Sequence, residues 1–127
     1  MFRKNTALLV ISVFAASLLS CASSLNMTVL TADIGPPVYY RSVNGDNFVA
    51  RYGSLSDGSL HFVKVKMPDG KEYTLPQVVS ASGVRYTDER ELVWWEHQDT
   101  VRVDVRGEKG NWNTRYPELK KVNRKMF

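Results

Sequence analysis

Apolar and polar residues alternate along most of the chain beyond residue 37, as they do in half-buried β-strands. The clearest case is the segment 100–106, in which Val101, Val103 and Val105 alternate with charged residues. The same period of two predicts further strands within 38–42, 46–53, 60–67, 71–75, 84–86 and 91–95. No stretch after residue 37 keeps the period of 3.6 that is typical of a helix.

Tight-turn sequences separate these strands. Asn44-Gly45 is typical of a two-residue hairpin turn, and Pro68-Asp69-Gly70 places proline and glycine where a tight turn favours them. Seven or eight short antiparallel strands with turns between them predict an all-β domain, either a small eight-stranded barrel or a sandwich. An eight-stranded barrel of this size holds side chains only, so we do not expect a ligand cavity of the lipocalin kind.

The N-terminus has the features of a secretory signal. Residues 1–4 carry Arg3 and Lys4, and the segment 7–16 is almost wholly apolar but too short to span a membrane well. Leu-Leu-Ser-Cys follows at 18–21; it resembles the lipobox of bacterial lipoproteins and predicts lipid attachment to Cys21. The alternative is an ordinary signal peptide with an incidental cysteine. Because alanine and not aspartate follows Cys21, the lipobox rule implies outer-membrane anchoring that faces the periplasm.

The charge distribution divides the remaining chain. The sequence has 17 Lys and Arg against 13 Asp and Glu, and removal of residues 1–21 would lower the net charge from +4 to +2. Most of the remaining excess lies in 113–127, which we expect to be a solvated tail or a contact for anionic lipid rather than a nucleic-acid arm. The predicted divisions are thus 1–21 signal peptide, 22–37 tether, 38–112 barrel and 113–127 basic tail.

Few residues offer chemistry of their own. The single cysteine excludes an intramolecular disulfide and a thiolate zinc cluster, and His61 and His97 lie far apart in sequence. Neither histidine has an evident orienting partner for nucleophilic catalysis. The acidic segment 88–91 could act in acid–base catalysis, but a solvated turn is the favoured interpretation. We therefore expect no enzyme activity, metal or cofactor.

Two features could contact a partner. In each of the pairs Tyr39-Tyr40 and Trp94-Trp95, alternation sends one ring into the core and leaves the other free to stack on a sugar. The segment 80–83, Ser-Ala-Ser-Gly, offers hydroxyls and a permissive backbone on a predicted surface loop. The alternative for this loop is a flexible connector.

Several of these motifs, in this order, resemble the MliC/PliC family of lipoprotein and periplasmic inhibitors of C-type lysozyme. The first is the lipobox. The segment 40–45 resembles the family pattern Tyr-x-Cys-x-x-Gly, and the turn at 68–70 with Tyr-Thr-Leu after it resembles the middle hairpin. The segment 82–86 reads Ser-Gly-Val-Arg-Tyr, the family's Ser-Gly-x-x-Tyr signature. An aromatic strand that ends in Trp94-Trp95 follows, and the resemblance extends over roughly residues 38–105.

The resemblance implies a small eight-stranded antiparallel β-barrel that inserts a serine hydroxyl and a lysine ammonium into the lysozyme cleft. The serine corresponds to Ser82, and the lysozyme-binding loop would also contain Gly83, Arg85 and Tyr86. The family lysine lies in a Trp-x-Lys-Gly-Asp pattern, and alignment on Trp95 and Asp99 places His97 there. Alignment on Trp94 would instead place Glu96 there. C-type lysozyme would be the protein partner and the membrane the anchor.

The chain differs from the family pattern in two places. Ser42 stands where the family usually has a cysteine that is bridged to another near the C-terminus, and His97 replaces the lysine. Two other functions stay open from the residues: a related envelope structural or adhesion lipoprotein without inhibition, and a module that binds peptidoglycan or sugar through exposed aromatic rings. The sequence does not indicate an oligomeric state.

Overall fold

The computed structural model describes residues 28–127, which form nine β-strands and one 3-10 turn. The predicted signal peptide, Cys21 and residues 22–27 of the predicted tether lie outside the described residues. The strands are β1 (Ala32–Ile34), β2 (Val38–Ser42), β3 (Asn47–Leu55), β4 (His61–Lys66), β5 (Glu72–Val78), β6 (Val84–Thr87), β7 (Leu92–His97), β8 (Thr100–Arg106) and β9 (Trp112–Val122), and the 3-10 turn is Arg124–Met126. No helix among residues 28–127 is long and apolar enough to cross a bilayer.

Eight of the strands close into an antiparallel barrel. Each strand from β2 to β8 pairs with the next one along the chain, and β9 pairs with both β8 and β2. This closure leaves no free edge among the eight strands, which removes the usual site of strand-to-strand aggregation. The predicted all-β fold, an eight-stranded antiparallel barrel, is confirmed.

The first strand lies outside this barrel circuit. β1 pairs with the far end of β3, where Ala32 lies opposite Leu55 and Ile34 opposite Gly53. The backbones approach so closely there that a Cβ atom at Gly53 would lie 2.7 Å from the Asp33 carbonyl oxygen and 2.6 Å from the Phe62 ring. Part of the segment predicted to be a tether is therefore an ordered strand, and glycine is what allows it to pack.

The last strand extends beyond the predicted end of the barrel. The sequence predicts that the barrel ends at residue 112, whereas β9 continues to Val122 and completes the ring. Leu119 is its only fully buried residue, although Tyr116 also packs against the core. The strand is therefore held largely by backbone hydrogen bonds to two neighbours, and its many charged side chains give it the composition of a solvated tail.

Aromatic and branched side chains fill the barrel. Trp94 and Tyr40 are buried and meet edge to face, with ring centroids 5.3 Å apart, a geometry that aromatic quadrupoles favour. Trp95 and Tyr39, the other members of the two aromatic pairs, point outward and are half-buried, so the predicted alternation is confirmed. The other core residues are Phe48, Ala50, Val63, Val65, Leu75, Tyr86, Leu92, Val101, Val103 and Leu119.

A hydrogen-bonded group of side chains lies within the apolar core. The Tyr52 hydroxyl accepts a hydrogen bond from Trp94 Nε1 at 3.2 Å, lies 3.0 Å from the Tyr40 hydroxyl and donates to Glu96 Oε1. Burial raises the pKa of Tyr40 to about 12. Burial, together with the hydrogen bond to Glu96, also raises the pKa of Tyr52. Both phenols therefore stay protonated and can donate, which leaves the buried polar atoms of this group satisfied.

Candidate functional site

The loop of residues 79–83 joins β5 to β6 and contains the predicted contact serine. Ser82 is exposed, as its position in a surface loop predicts. Its carbonyl oxygen accepts two hydrogen bonds, one from Ser80 Oγ at 2.7 Å and one from Trp95 Nε1 at 3.0 Å. The second bond fixes the loop to the outer face of β7. The backbone of Ser82 is thus held while its side chain remains available to a partner.

Gly83 allows the loop to lie against β7. Its φ is +65°, a left-handed conformation that residues with a side chain rarely adopt. A Cβ atom there would lie only 2.1 Å from the Glu96 carbonyl oxygen. Glycine is therefore required at this position for two independent reasons, backbone conformation and space.

His97 is the last residue of β7 and lies beside this loop. The turn that follows contains Gln98, whose φ is also positive at 57°, and Thr100 Oγ1 donates a hydrogen bond to the His97 carbonyl oxygen at 3.1 Å. The His97 side chain is exposed. Ser82 and His97 line a single open depression of about 340 Å³. Its other lining residues are Trp95, Thr100, Arg102 and Pro117.

Arg85 and Tyr86, the other residues of the predicted contact loop, do not line this depression. Arg85 forms an ion pair with Glu89 at 3.1 Å. Tyr86 is only 7% exposed and packs in the core, where burial raises its pKa to about 12. Of the five predicted residues, only Ser82 and His97 line the depression. Gly83 is exposed beside Ser82, Arg85 is paired with Glu89, and Tyr86 is buried.

Arg102 lines the same depression but was not among the contact residues that the sequence predicts. The guanidinium carbon lies 4.5 Å from the centroid of the Trp95 ring, and Nη2 donates to Asp104 Oδ2 at 3.0 Å. Arg102 covers one face of the indole, which reduces the area that a sugar could stack on. In the β7–β8 hairpin, Trp95 lies opposite Arg102. Knowledge of this register would have predicted the contact between the two side chains.

The acidic hairpin at 88–91 has a structural role. The Asp88 carboxylate accepts hydrogen bonds from the backbone N–H groups of residues 90–92 at 2.9–3.1 Å. Partial burial opposes ionisation of Asp88, but these bonds outweigh it and lower its pKa. Glu89 and Glu91 each form an ion pair. The carboxylates therefore stabilise a turn. Within residues 28–127, no group of three His, Cys, Asp or Glu side chains could hold a metal ion.

Comparison with known proteins identifies the family. A sequence model described as the membrane-bound lysozyme inhibitor of c-type lysozyme, MliC, matches residues 40–112. The chain belongs to the MliC family. The MliC match includes the loop 79–83 and the β7–β8 turn, whereas β1 and most of β9 lie outside it.

One solved structure has a similar fold. The structure of Pseudomonas aeruginosa MliC in complex with hen egg white lysozyme aligns with 74% of this chain and 87% of its own, at a TM-score of 0.53 and 21% identity. This structural similarity shows that the two chains share a fold. A search of curated proteins gave no match.

We predict that Gly83→Ala destabilises this MliC-family barrel more than Gly58→Ala does. Both glycines have positive φ, but no atom lies within 4 Å of a Cβ at Gly58. Gly58→Ala therefore reports the backbone cost alone, about 1–2 kcal/mol, whereas Gly83→Ala adds the clash with Glu96. Urea denaturation of both variants measures the difference. Equal loss of stability would contradict the close contact between this loop and β7.

Proposed function

We propose that this protein inhibits a C-type lysozyme by placing the loop 79–83 and the adjacent β7–β8 turn in the active-site cleft of the enzyme. The observation that carries the proposal is the shared depression, which is lined by an exposed serine of the loop 79–83 and an exposed histidine at the end of β7. Membership of the MliC family supports lysozyme as the target.

The chemistry of the cleft suits these two side chains. A lysozyme of this type holds a protonated glutamic acid and an ionised aspartate on opposite sides of the scissile bond. A serine hydroxyl can donate to the carboxylate and accept from the acid, because it has one donor and two acceptor lone pairs. The Ser82 backbone is already fixed by Trp95 and Ser80, so little loop ordering opposes binding.

We predict that Ser82→Ala weakens lysozyme inhibition and hardly changes the melting temperature. The lost hydrogen bond to a charged group is worth about 1.5–3 kcal/mol, and the exposed side chain has no packing role. Inhibition constants from a lysozyme activity assay, together with thermal unfolding, test both parts. Ser59→Ala, in the exposed β3–β4 turn, is the control and should inhibit like the parent. A fall in stability without a fall in affinity would instead favour the connector interpretation of the loop.

His97 would provide a charge that depends on pH. Histidine is the side chain whose charge changes within the physiological pH range. The protonated form is attracted to the carboxylates of the cleft. The gain in binding is therefore complete in acid and disappears as pH rises through the range in which imidazole deprotonates. Asp99, Arg102 and Lys120 are the charged neighbours in the turn and on β8 and β9.

We predict that His97→Lys binds lysozyme more tightly than the parent at about pH 8, and that the difference narrows at about pH 6. Lysine stays charged across this range, whereas histidine becomes charged only as pH falls. The catalytic acid of the enzyme titrates at about pH 6. This titration affects the binding of both proteins alike, so the ratio of their two affinities depends only on the side chain at position 97. Affinity measured by calorimetry at both pH values checks this. Equal affinities at both would place His97 outside the interface.

The proposal includes lipid anchoring at Cys21, which lies outside the described residues. The family description, membrane-bound, supports an anchor, and Leu-Leu-Ser-Cys is a lipobox-like sequence. More than one acyl chain gives stable attachment, since a single chain binds only marginally. Ala22 after the cysteine favours the outer membrane over the inner one, with the barrel in the periplasm.

We predict that Cys21→Ala abolishes incorporation of radioactive fatty acid and leaves the protein unprocessed by the lipoprotein peptidase. Ser23→Ala, two residues further along, is the control and should be labelled like the parent. Membrane fractionation of labelled cells then reports which membrane holds the parent protein. Equal labelling of parent and Cys21→Ala would show that this cysteine is not the site of lipid attachment.

A further inference from the structure

We infer that Arg102 is a further lysozyme-binding residue, and that its guanidinium is the permanent positive charge of the site, directed at the acidic groups of the enzyme's cleft. The inference rests on the proposed function and deepens it. It assigns to β8 the role that the family resemblance assigned to a lysine at the position of His97.

Arg102 lies in the depression that Ser82 and His97 line. It stands opposite Trp95 in the β7–β8 pairing, on the outer face of the barrel, while its neighbours Val101 and Val103 are buried. The Arg102 side chain is 43% exposed. A partner that fills the depression lined by Ser82 and His97 therefore also meets Arg102.

Two contacts hold the guanidinium before any partner binds. One face stacks on the Trp95 ring at 4.5 Å, and one edge donates through Nη2 to Asp104. The Asp104 side chain is only 10% exposed, so it is a firmly placed acceptor. A long side chain that is already ordered loses less conformational entropy on binding. Within residues 28–127, Nη2 makes the only side-chain hydrogen bond of Arg102, so Nε and Nη1 keep donors for a partner.

The indole of Trp95 links the two binding groups. Its Nε1 holds the carbonyl oxygen of Ser82, and its ring face carries the guanidinium of Arg102. One rigid side chain therefore sets the spacing between a neutral hydroxyl and a positive charge. A hydroxyl can bond a protonated carboxyl group, and a guanidinium can pair with an ionised one. The two groups together therefore suit a cleft that holds one carboxyl group of each kind.

The charge of Arg102 persists where that of His97 does not. A guanidinium stays protonated at all physiological pH values and can bind a carboxylate through two parallel N–H bonds. Asp104 faces it from the same strand, Asp99 lies in the adjoining turn, and Lys120 lies opposite Thr100 on β9. The guanidinium of Arg102 is paired with Asp104 along one edge only. Its other edge remains free to attract an acidic partner.

The test compares Arg102→Gln with Arg106→Gln in the full chain, purified in detergent. Arg106 is a matched control because it lies on the same strand and stacks on another tryptophan, Trp112, at 5.3 Å, but outside the depression. We expect Arg102→Gln to weaken lysozyme affinity by about 10- to 100-fold at pH 8, the range for a hydrogen bond to a charged group. Arg106→Gln should match the parent.

Two further measurements separate binding from stability. Arg102→Lys keeps a cation beside Asp104 but lacks the planar fork, so we expect it to retain the parent's melting temperature and to bind between the parent and Arg102→Gln. Raising the salt concentration should weaken the parent more steeply than Arg102→Gln, because an ionic contact is screened. If the parent inhibits lysozyme and Arg102→Gln binds as well as Arg106→Gln, the inference is overturned while the proposed function stands. A parent that does not inhibit lysozyme at all overturns both.

Discussion

The alternation of side chains along β7 is the constraint on which both the barrel and the candidate site depend. Because neighbouring strand residues point to opposite faces, Trp94 fills the interior while Trp95 lies on the outer surface. The first packs against Tyr40, and the second holds the loop carbonyl of Ser82 and the guanidinium of Arg102. A slip of one residue in this strand would exchange the two rings and remove the core and the site together.

The buried hydrogen bonds make such a slip costly. Trp94 and Glu96 both bond the hydroxyl of Tyr52, which lies on β3 across the barrel. A shift of β7 would leave these polar groups unpaired in an apolar interior, at about 1–3 kcal/mol for each. Since the pKa values of Tyr40 and Tyr52 are raised, the network keeps its protons across the physiological range. The interior therefore fixes the register that places the site on the outer face.

The period of two was sufficient to predict an all-β domain, either a barrel or a sandwich, but it did not predict β1 or β9. All three residues of β1 are exposed, and β9 buries Leu119 alone, so neither strand has a clear apolar face. The positions of Ser82 and His97 followed from a family resemblance, and the structure places them in one depression. Arg102 could not be found in that way, because its contact with Trp95 depends on cross-strand register and not on a motif.

The ring closes here without the covalent bridge that the family resemblance implies. Ser42, at the position of the family cysteine, is buried opposite Leu119 of β9, and its Oγ accepts the Asp46 backbone N–H at 3.0 Å. The serine hydroxyl thus forms its hydrogen bond within its own turn. The junction of β2 and β9 is held by backbone pairing and by the packing of Leu119. β9 also carries Pro117, which forms one edge of the depression. The shape of the site therefore depends on a closure that is entirely non-covalent within the described residues.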